Sequence, residues 1–309
     1  LVNARYFTDL VRYLPDSDVT VALDKEKSKL QVIYGRSSSS LNIFDDEEFP
    51  DLPLTKLTPI CKIPQNILRE CIKKTAFAAA TNHFKPVFTG LLFDFEKDGL
   101  KIVASDTHRL AIIKRPEIKT SQKIGQLVIP ARNINELFRI LEDSENEITM
   151  GQAENNIVFY LEEEGFYFLT RLIEGQYPNY NQVVPQEFIN SFFIEADPLI
   201  ESLERASLLP TDAKSIKHVQ MDFGQTELML SAFSEKMGEM NEVIDTVNAE
   251  TDKTIKINFN TRYMLDIVKI LGAENKDIQI KLTGAMSPAI IKNPEEDSYI
   301  HVLVPLRTG

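Results

Sequence analysis

Apolar residues recur along this chain at helical spacing in three places, each time in the same order. The stretches are Ala4-Arg5…Leu10-Val11-Arg12-Tyr13-Leu14, Ala131-Arg132…Leu137-Phe138-Arg139-Ile140-Leu141 and Thr261-Arg262…Ile267-Val268-Lys269-Ile270-Leu271. Their shared arginine recurs after 127 and then 130 residues. With that arginine at 0° and about 100° per residue, the apolar positions fall at roughly 200°, 140°, 240° and 180°. They are Phe7, Leu10, Val11 and Leu14, then Ile134, Leu137, Phe138 and Leu141, then Met264, Ile267, Val268 and Leu271. Each copy is therefore predicted to be a helix with one buried face. Each leads into an alternating strand, carried by Val19/Val21/Leu23, Ile148/Met150 and Ile278/Ile280/Leu282. A fixed period of this size marks a repeated module.

Opposite the apolar face, every copy presents two cations: Arg5 and Arg12, Arg132 and Arg139, Arg262 and Lys269. The second lies two turns on, within about 20° of the first. An acid between them (Asp9, Glu136, Asp266) is placed to pair locally with either. Two readings fit this face: a solvated, salt-bridged surface, or a repeated basic surface for a polyanion.

A second helix type appears twice, as Leu68…Ile72…Lys74-Thr75-Ala76-Phe77 and Leu199…Leu203…Arg205-Ala206-Ser207-Leu208, offset by 131 residues. The two types divide the chain into five units of about 60 residues, each a helix followed by strands. Gly90–Phe95 and Leu100–Ser105 flank Lys97-Asp98-Gly99, a hairpin-turn composition, and His218–Phe223 and Glu227–Ser231 flank Gly224 in the same way. Two units make one domain, giving expected domains at 1–57, 58–186 and 187–309. One helix per three or so hairpin-connected strands predicts an α+β fold of antiparallel sheets with helices on one side. Five is an odd number, so the pattern leads one to expect a further unit ahead of Leu1.

Composition narrows the function classes. The 309 residues are 43% hydrophobic and 26% charged, an ordinary globular balance. No stretch is apolar for long enough to cross a bilayer, so no membrane association is expected, and the sparse cysteines point to a reducing, cytoplasmic setting. Cys61 and Cys71 are the only cysteines, too few for a disulfide framework or a zinc site, and no metal or cofactor is expected. The net charge of −12 argues against general adhesion to nucleic acid and leaves room only for a local basic surface. Acids cluster away from the repeat helices, at Asp45–Glu48 and Glu162–Glu164.

Four blocks carry a specific resemblance. Ala104-Ser105-Asp106-Thr107-His108-Arg109-Leu110-Ala111 resembles the A-T-D-x-H-R-L-A stretch of the bacterial DNA sliding clamps, the beta subunits of DNA polymerase III. Arg171–Tyr180, Phe259-Asn260-Thr261-Arg262-Tyr263 and the ending Val304-Pro305-Leu306-Arg307 resemble the same family, in family order and at family spacing. The resemblance spans the whole chain and implies the DNA-clamp fold. In that fold two crescent subunits close head to tail into a ring, helices inside and sheets outside, with duplex DNA threaded through the hole. Relative to the family the sequence begins after the first half of the first domain; a domain without that half is expected to close a ring poorly, whereas with that half ahead of Leu1 the ring is expected to be intact.

Resemblance and helix wheel together assign the DNA-facing cations as Arg5, Arg12, Arg132, Arg139, Arg262 and Lys269, with Lys74 and Arg205 from the second helix type. Weak, sequence-blind phosphate contact suits a ring that slides. The resemblance further implies a pocket for short hydrophobic peptides of the replicative polymerase, the clamp loader and repair proteins. At matching positions it would use Phe88, Ser105, Thr107, His108, Arg109, Leu110, Pro178, Val183, Ile216, Asn260, Tyr263, Met286, Val304, Pro305, Leu306 and Arg307. Apolar walls would take Leu and Phe side chains, and a few polar groups would fix the peptide backbone. Gln182 stands where some family members have Arg. The homodimer contact implied by the family falls on Ser37–Asn42, with Ser39 and Leu41, and on Leu208-Leu209. No catalytic residue is expected: Ser105, Asp106, Thr107 and His108 lie too near one another on a strand, where side chains alternate faces, to form a triad. The competing function is a repeat scaffold that binds peptides without encircling DNA.

Overall fold

A computed structural model of the chain describes residues 1–44, 57–120, 122, 124–209, 217–250 and 254–307. The chain divides into two compact units, Leu1–Leu54 and Thr55–Gly309.

In the first unit, helix α1 (Ala4–Arg12) precedes β1 (Val19–Asp24), β2 (Lys29–Tyr34) and β3 (Ser37–Asn42), which form an antiparallel sheet in that order. The helix begins where the pattern places it because the Asn3 side chain accepts a hydrogen bond from the Tyr6 N–H, satisfying an otherwise orphaned donor. Val32 and Leu41 are buried in this sheet, Leu41 paired with Leu30. As the last strand in the order, β3 forms an edge.

The second unit runs through the repeat twice. The first pass is β4 (Thr58–Pro64), α2 (Gln65–Thr75), β5 (Gly90–Glu96), β6 (Gly99–Ser105), β7 (Arg109–Arg115) and β8 (Gln126–Pro130), then α3 (Ala131–Ile140), β9 (Glu147–Ala153), β10 (Asn156–Leu161) and β11 (Phe166–Arg171). The second is β12 (Asn190–Glu195), α4 (Ala196–Leu208), β13 (His218–Phe223), β14 (Glu227–Ser234), β15 (Gly238–Glu250) and β16 (Ile255–Asn260), then α5 (Thr261–Gly272), β17 (Asp277–Leu282), β18 (Ala289–Lys292) and β19 (Tyr299–Leu303). The α+β architecture and both expected hairpins are present. At the β5–β6 hairpin Gly99 adopts φ +118° against the Arg115–Pro116 backbone, where a Cβ would lie 2.5 Å from the Arg115 carbonyl oxygen.

A four-stranded sheet has the order β11-β10-β9-β4, and a twelve-stranded sheet the order β16-β13-β14-β15-β12-β17-β18-β19-β7-β6-β5-β8. The larger sheet crosses from the last strand of the chain to the first pass of the repeat. There β19 pairs antiparallel with β7, Tyr299 opposite Ile113, His301 opposite Ala111 and Leu303 opposite Arg109. The helices cover these sheets with the predicted faces. Ile134, Leu137 and Leu141 of the α3 stretch and Met264, Ile267, Val268 and Leu271 of α5 are buried in one continuous core. Asn260 caps α5 as Asn3 caps α1, its side chain accepting from the N–H groups of Arg262 and Tyr263.

Candidate functional site

The Ser105–Leu110 block folds as the turn between β6 and β7. Asp106 accepts hydrogen bonds from the N–H groups of His108 (3.0 Å) and Arg109 (2.9 Å), and its own N–H donates to the Arg109 carbonyl (3.3 Å). The Ser105 hydroxyl donates to the same carbonyl (2.8 Å) and accepts from the Thr107 N–H (3.1 Å). So short a hairpin favours a positive φ at its first central residue. That residue is Thr107, at φ +76°. A β-branched side chain is an outlier in this region, at a cost of about 1–3 kcal/mol.

Arg109 ties the turn to α5. Its guanidinium donates to Asp106 Oδ2 (3.1 Å), to Asp266 Oδ2 on α5 (2.7 Å) and to the Phe77 carbonyl (2.7 Å). It also lies 4.2 Å from the centre of the Tyr263 ring and 5.2 Å from that of Phe77. Asp266 was expected to serve the cations of its own helix and instead faces Arg109.

Two cavities flank the turn. The first, about 200 Å³, is walled by Phe88, Leu110, Tyr177, Pro178, Tyr180, Val183, Val302 and Val304, with Ser105, Thr107, Arg109 and Asn179. Phe88 meets Tyr177 edge to face at 5.7 Å. Burial raises the pKa of both tyrosines in this wall, and at Tyr180 the neighbouring Asp94 carboxylate, which accepts its hydroxyl at 3.0 Å, adds to the rise. Both phenols are therefore neutral, and the cavity presents a largely apolar wall on this side. The second cavity, about 380 Å³, is polar: Ala79–His83, Asp106, Thr107, His108, Arg109, Arg262 and Tyr263 line it. His108 stacks on Tyr263 with 6.4 Å between ring centres. Thr107 and Arg109 belong to both cavities and form the ridge between them.

Eight of the residues assigned from the sequence therefore gather at the apolar cavity: Phe88, Ser105, Thr107, Arg109, Leu110, Pro178, Val183 and Val304. His108 and Tyr263 lie at the polar one. Asn260 lines neither, since its side-chain oxygen is committed to the α5 cap. Met286 is 60% exposed and lines neither. The tail returns over the site: the Val304 N–H donates to the His108 carbonyl (2.9 Å) and that of Leu306 to the Asn258 carbonyl (2.8 Å). Pro305 is buried, Leu306 half-buried and Arg307 exposed, and none lines either of these two cavities. Ile216 falls outside the described residues. The sequence reading missed Tyr177, Asn179, Tyr180 and Val302. Val302 stands two residues before Val304, and the period of a strand could have found it; the others lay within the Arg171–Tyr180 block already singled out.

Among the expected DNA-facing cations, Arg5, Arg12, Arg132, Arg139, Arg205, Arg262 and Lys269 are exposed. Several have carboxylate neighbours: Arg12 with Asp9 (3.8 Å), Arg139 with Glu136 (2.9 Å), Lys269 with Glu204 (2.6 Å) and Arg205 with Glu242 (2.6 Å). Lys74 requires a correction. Its side chain is only 3% exposed, its ammonium 2.7 Å from both Glu70 and Glu274 and 5.0 Å from the centre of the Tyr299 ring. Burial alone would lower its pKa; hydrogen bonds to Glu274 and Glu70 outweigh that and hold it above the ordinary lysine value. Lys74 is a structural cation between α2 and the end of α5, not a surface one. Leu41 also departs from expectation, since it packs into the core of the first unit and is closed to an outside partner. Ser39 is half-buried, its hydroxyl 3.3 Å from that of Tyr34, whereas Leu208 is exposed and Leu209 packs partly on the core.

No group of three or more His, Cys, Asp or Glu among the described residues could hold a metal ion. Cys61 and Cys71 are free and buried, and burial pushes their thiols up to about 12 and about 11, far from a reactive thiolate. No described helix is long and apolar enough to cross a membrane.

A domain of two similar halves that occurs twice, one continuous sheet across the joint and an apolar cavity beside it define a repeat protein of the DNA-clamp class. Profiles of the DNA polymerase III beta subunit match in three parts: the N-terminal domain over residues 1–53, the central domain over 62–179 and the C-terminal domain over 181–307. A beta sliding clamp of Halalkalibacterium halodurans is 31% identical across the whole chain and 80% of its own length. The DNA polymerase sliding clamp of Bacillus subtilis superposes with a TM-score of 0.90 at 28% identity, covering all of this chain and 80% of that one. The Pseudomonas aeruginosa sliding clamp, solved bound to griselimycin, gives 0.86 at 25% identity over 99% of this chain and 81% of its own. The chain belongs to the DNA polymerase III beta subunit family, the sliding clamps of DNA replication.

Proposed function

We propose that this replication clamp encircles duplex DNA as a head-to-tail homodimer and tethers the replicative polymerase, the clamp loader and repair proteins through the apolar cavity. The domains run 1–57, 58–186 and 187–309, and the protein acts in the cytoplasm without catalysis of its own. The observation that carries the reading is the joint between β19 and β7. The repeat makes β3 the counterpart of β19 and β15 the counterpart of β7, and the Gly238–Asp245 part of β15 pairs with β14 alone, β12 taking only Thr246–Glu250. The same antiparallel joint, made between two copies, turns a head-to-tail contact into a closed ring. Exposed cations on the three repeat helices then supply phosphate contacts without base readout. The apolar cavity is of a size to take one or two side chains of a hydrophobic peptide, with the polar turn beside it to orient the backbone. A scaffold that never surrounds DNA would account for the cavity and leave the three cation pairs without a purpose.

The test reverses the charge of Arg132 and Arg139 together. The double Glu variant is expected to lose retention on nicked circular duplex DNA by roughly tenfold or more, while calorimetric titration with a peptide ending in Leu-Phe stays unchanged. Undiminished retention would overturn the assignment of the DNA-facing helices.

A further inference from the structure

Thr107 occupies a backbone conformation that glycine or asparagine would hold with less strain, at the one place where the apolar and polar cavities meet. Nothing in the hairpin itself calls for a branched side chain there. The turn is already closed by Asp106 and Ser105, whose hydrogen bonds involve main-chain groups and not the Thr107 side chain. Those bonds pin the Thr107 backbone, so the direction of its Cβ is set and a β-branched residue has few rotamers left. Arg109, the other member of the ridge, is fixed by Asp106, Asp266 and the Phe77 carbonyl and is not free to move aside. A strained residue kept at a ligand-facing position is a reason to look for function in its side chain.

We propose that Thr107 is a specificity-determining residue, whose branched side chain limits the size of the peptide residue that crosses the ridge from the apolar cavity to the polar one. The inference rests on the reading of the apolar cavity as a peptide site. The ligand it selects is a short peptide whose terminal apolar pair fills the cavity walled by Leu110, Val183 and Val302. A small residue lies over Thr107, and the preceding residues lie along His108 and Tyr263. A larger side chain at the crossing position would meet the threonine methyl and hydroxyl and lift the apolar pair out of its cavity.

The experiment uses the full protein and four labelled peptides ending Xaa-Leu-Phe, with Gly, Ala, Leu or Phe as Xaa, read by fluorescence anisotropy. The wild-type protein is expected to bind the Gly and Ala peptides roughly tenfold or more tighter than the Leu and Phe peptides. Thr107→Gly should bring all four within about threefold of one another, and it should melt no lower than wild type because glycine relieves the turn. Thr107→Asn, which tolerates the same conformation and restores bulk, should restore the ranking. An unchanged ranking in Thr107→Gly would overturn the role given to Thr107. Failure of the wild-type protein to bind any of the four peptides would overturn the peptide-site reading, and this inference with it.

Discussion

Helices α1 and α5 carry one pattern and keep very different shares of it from water. Met264, Ile267, Val268 and Leu271 of α5 are all buried, whereas α1 has no buried residue and Val11 is 48% exposed. The strands that follow repeat the contrast: Ile278, Ile280 and Leu282 are buried, while Val21 and Leu23 stand open. α5 lies against α4 closely enough that a Cβ on Gly272 would sit 2.8 Å from the Cβ of Ala196. The first unit, by contrast, contains a single described helix and a three-stranded sheet. An amphipathic pattern states which face is to be covered; the neighbour that arrives decides how completely it is.

That contrast predicts unequal costs for equal truncations. Leu271→Ala should destabilise the second unit by about 2–5 kcal/mol, as expected for a cavity in a close-packed core. Leu14→Ala, at the matching position of the first copy and only half-buried, should cost about 1 kcal/mol or less. Chemical denaturation followed by circular dichroism measures both, and equal losses would break the comparison.

Lys74 and Arg205 sharpen it with charge, since they occupy the same place in the second helix type. Lys74 lies between α2 and Glu274, whereas the Arg205 side chain is 50% exposed beside Glu242 and Glu201. Lys74→Met should cost about 1.5–3 kcal/mol, the scale of lost hydrogen bonds to a charged group. The partners Glu70 and Glu274 keep partial access to water, which holds the loss below that of a fully buried pair. Arg205→Met should leave the melting midpoint unmoved.

A further contrast appears with pH. His301 is buried between Phe77 and Tyr299; burial, then the charges of Arg109 and Lys74, push its pKa down from 6.5 to about 3. The folded chain therefore keeps a neutral imidazole where the unfolded chain takes up a proton. Its contribution is complete above about pH 6.5 and drains away as the pH falls toward 3. From pH 6.5 to 5 wild type should lose stability that His301→Phe keeps, on the order of 1–2 kcal/mol. Parallel stability curves for the two proteins would remove the buried neutral histidine from the account.

Much of this was legible along the chain. The repeat helices lie where their wheel places them because an apolar face at helical period is a local instruction, joined at α1 and α5 by a capping asparagine. The hairpins follow from alternation and turn residues in the same way. At the site, the Ser105–Leu110 block could be recognised, and eight assigned residues meet at one cavity. Tyr177 and Tyr180, inside a recognised block, and Val302, at strand period from Val304, were not recovered, because only the fold brings the Tyr177–Val183 loop and β19 to one cavity. Asn260 and Met286 show the converse: the resemblance assigned both to the site, and neither lines the cavity.

By itself, then, the sequence determined the period of the repeat, the two faces of each helix, the alternation of each strand and the family to which the chain belongs. These depend on backbone geometry and on neighbours within a few residues. Only the tertiary structure decided that Lys74 is enclosed while Arg205 is not, that Asp266 answers to Arg109, and that Thr107 stands between two cavities. Each of those outcomes depends on groups brought together from distant segments: Glu274 onto Lys74, α5 onto the β6–β7 turn, β19 onto β7. Burial and charge pairing are properties of such meetings, and no local pattern encodes them.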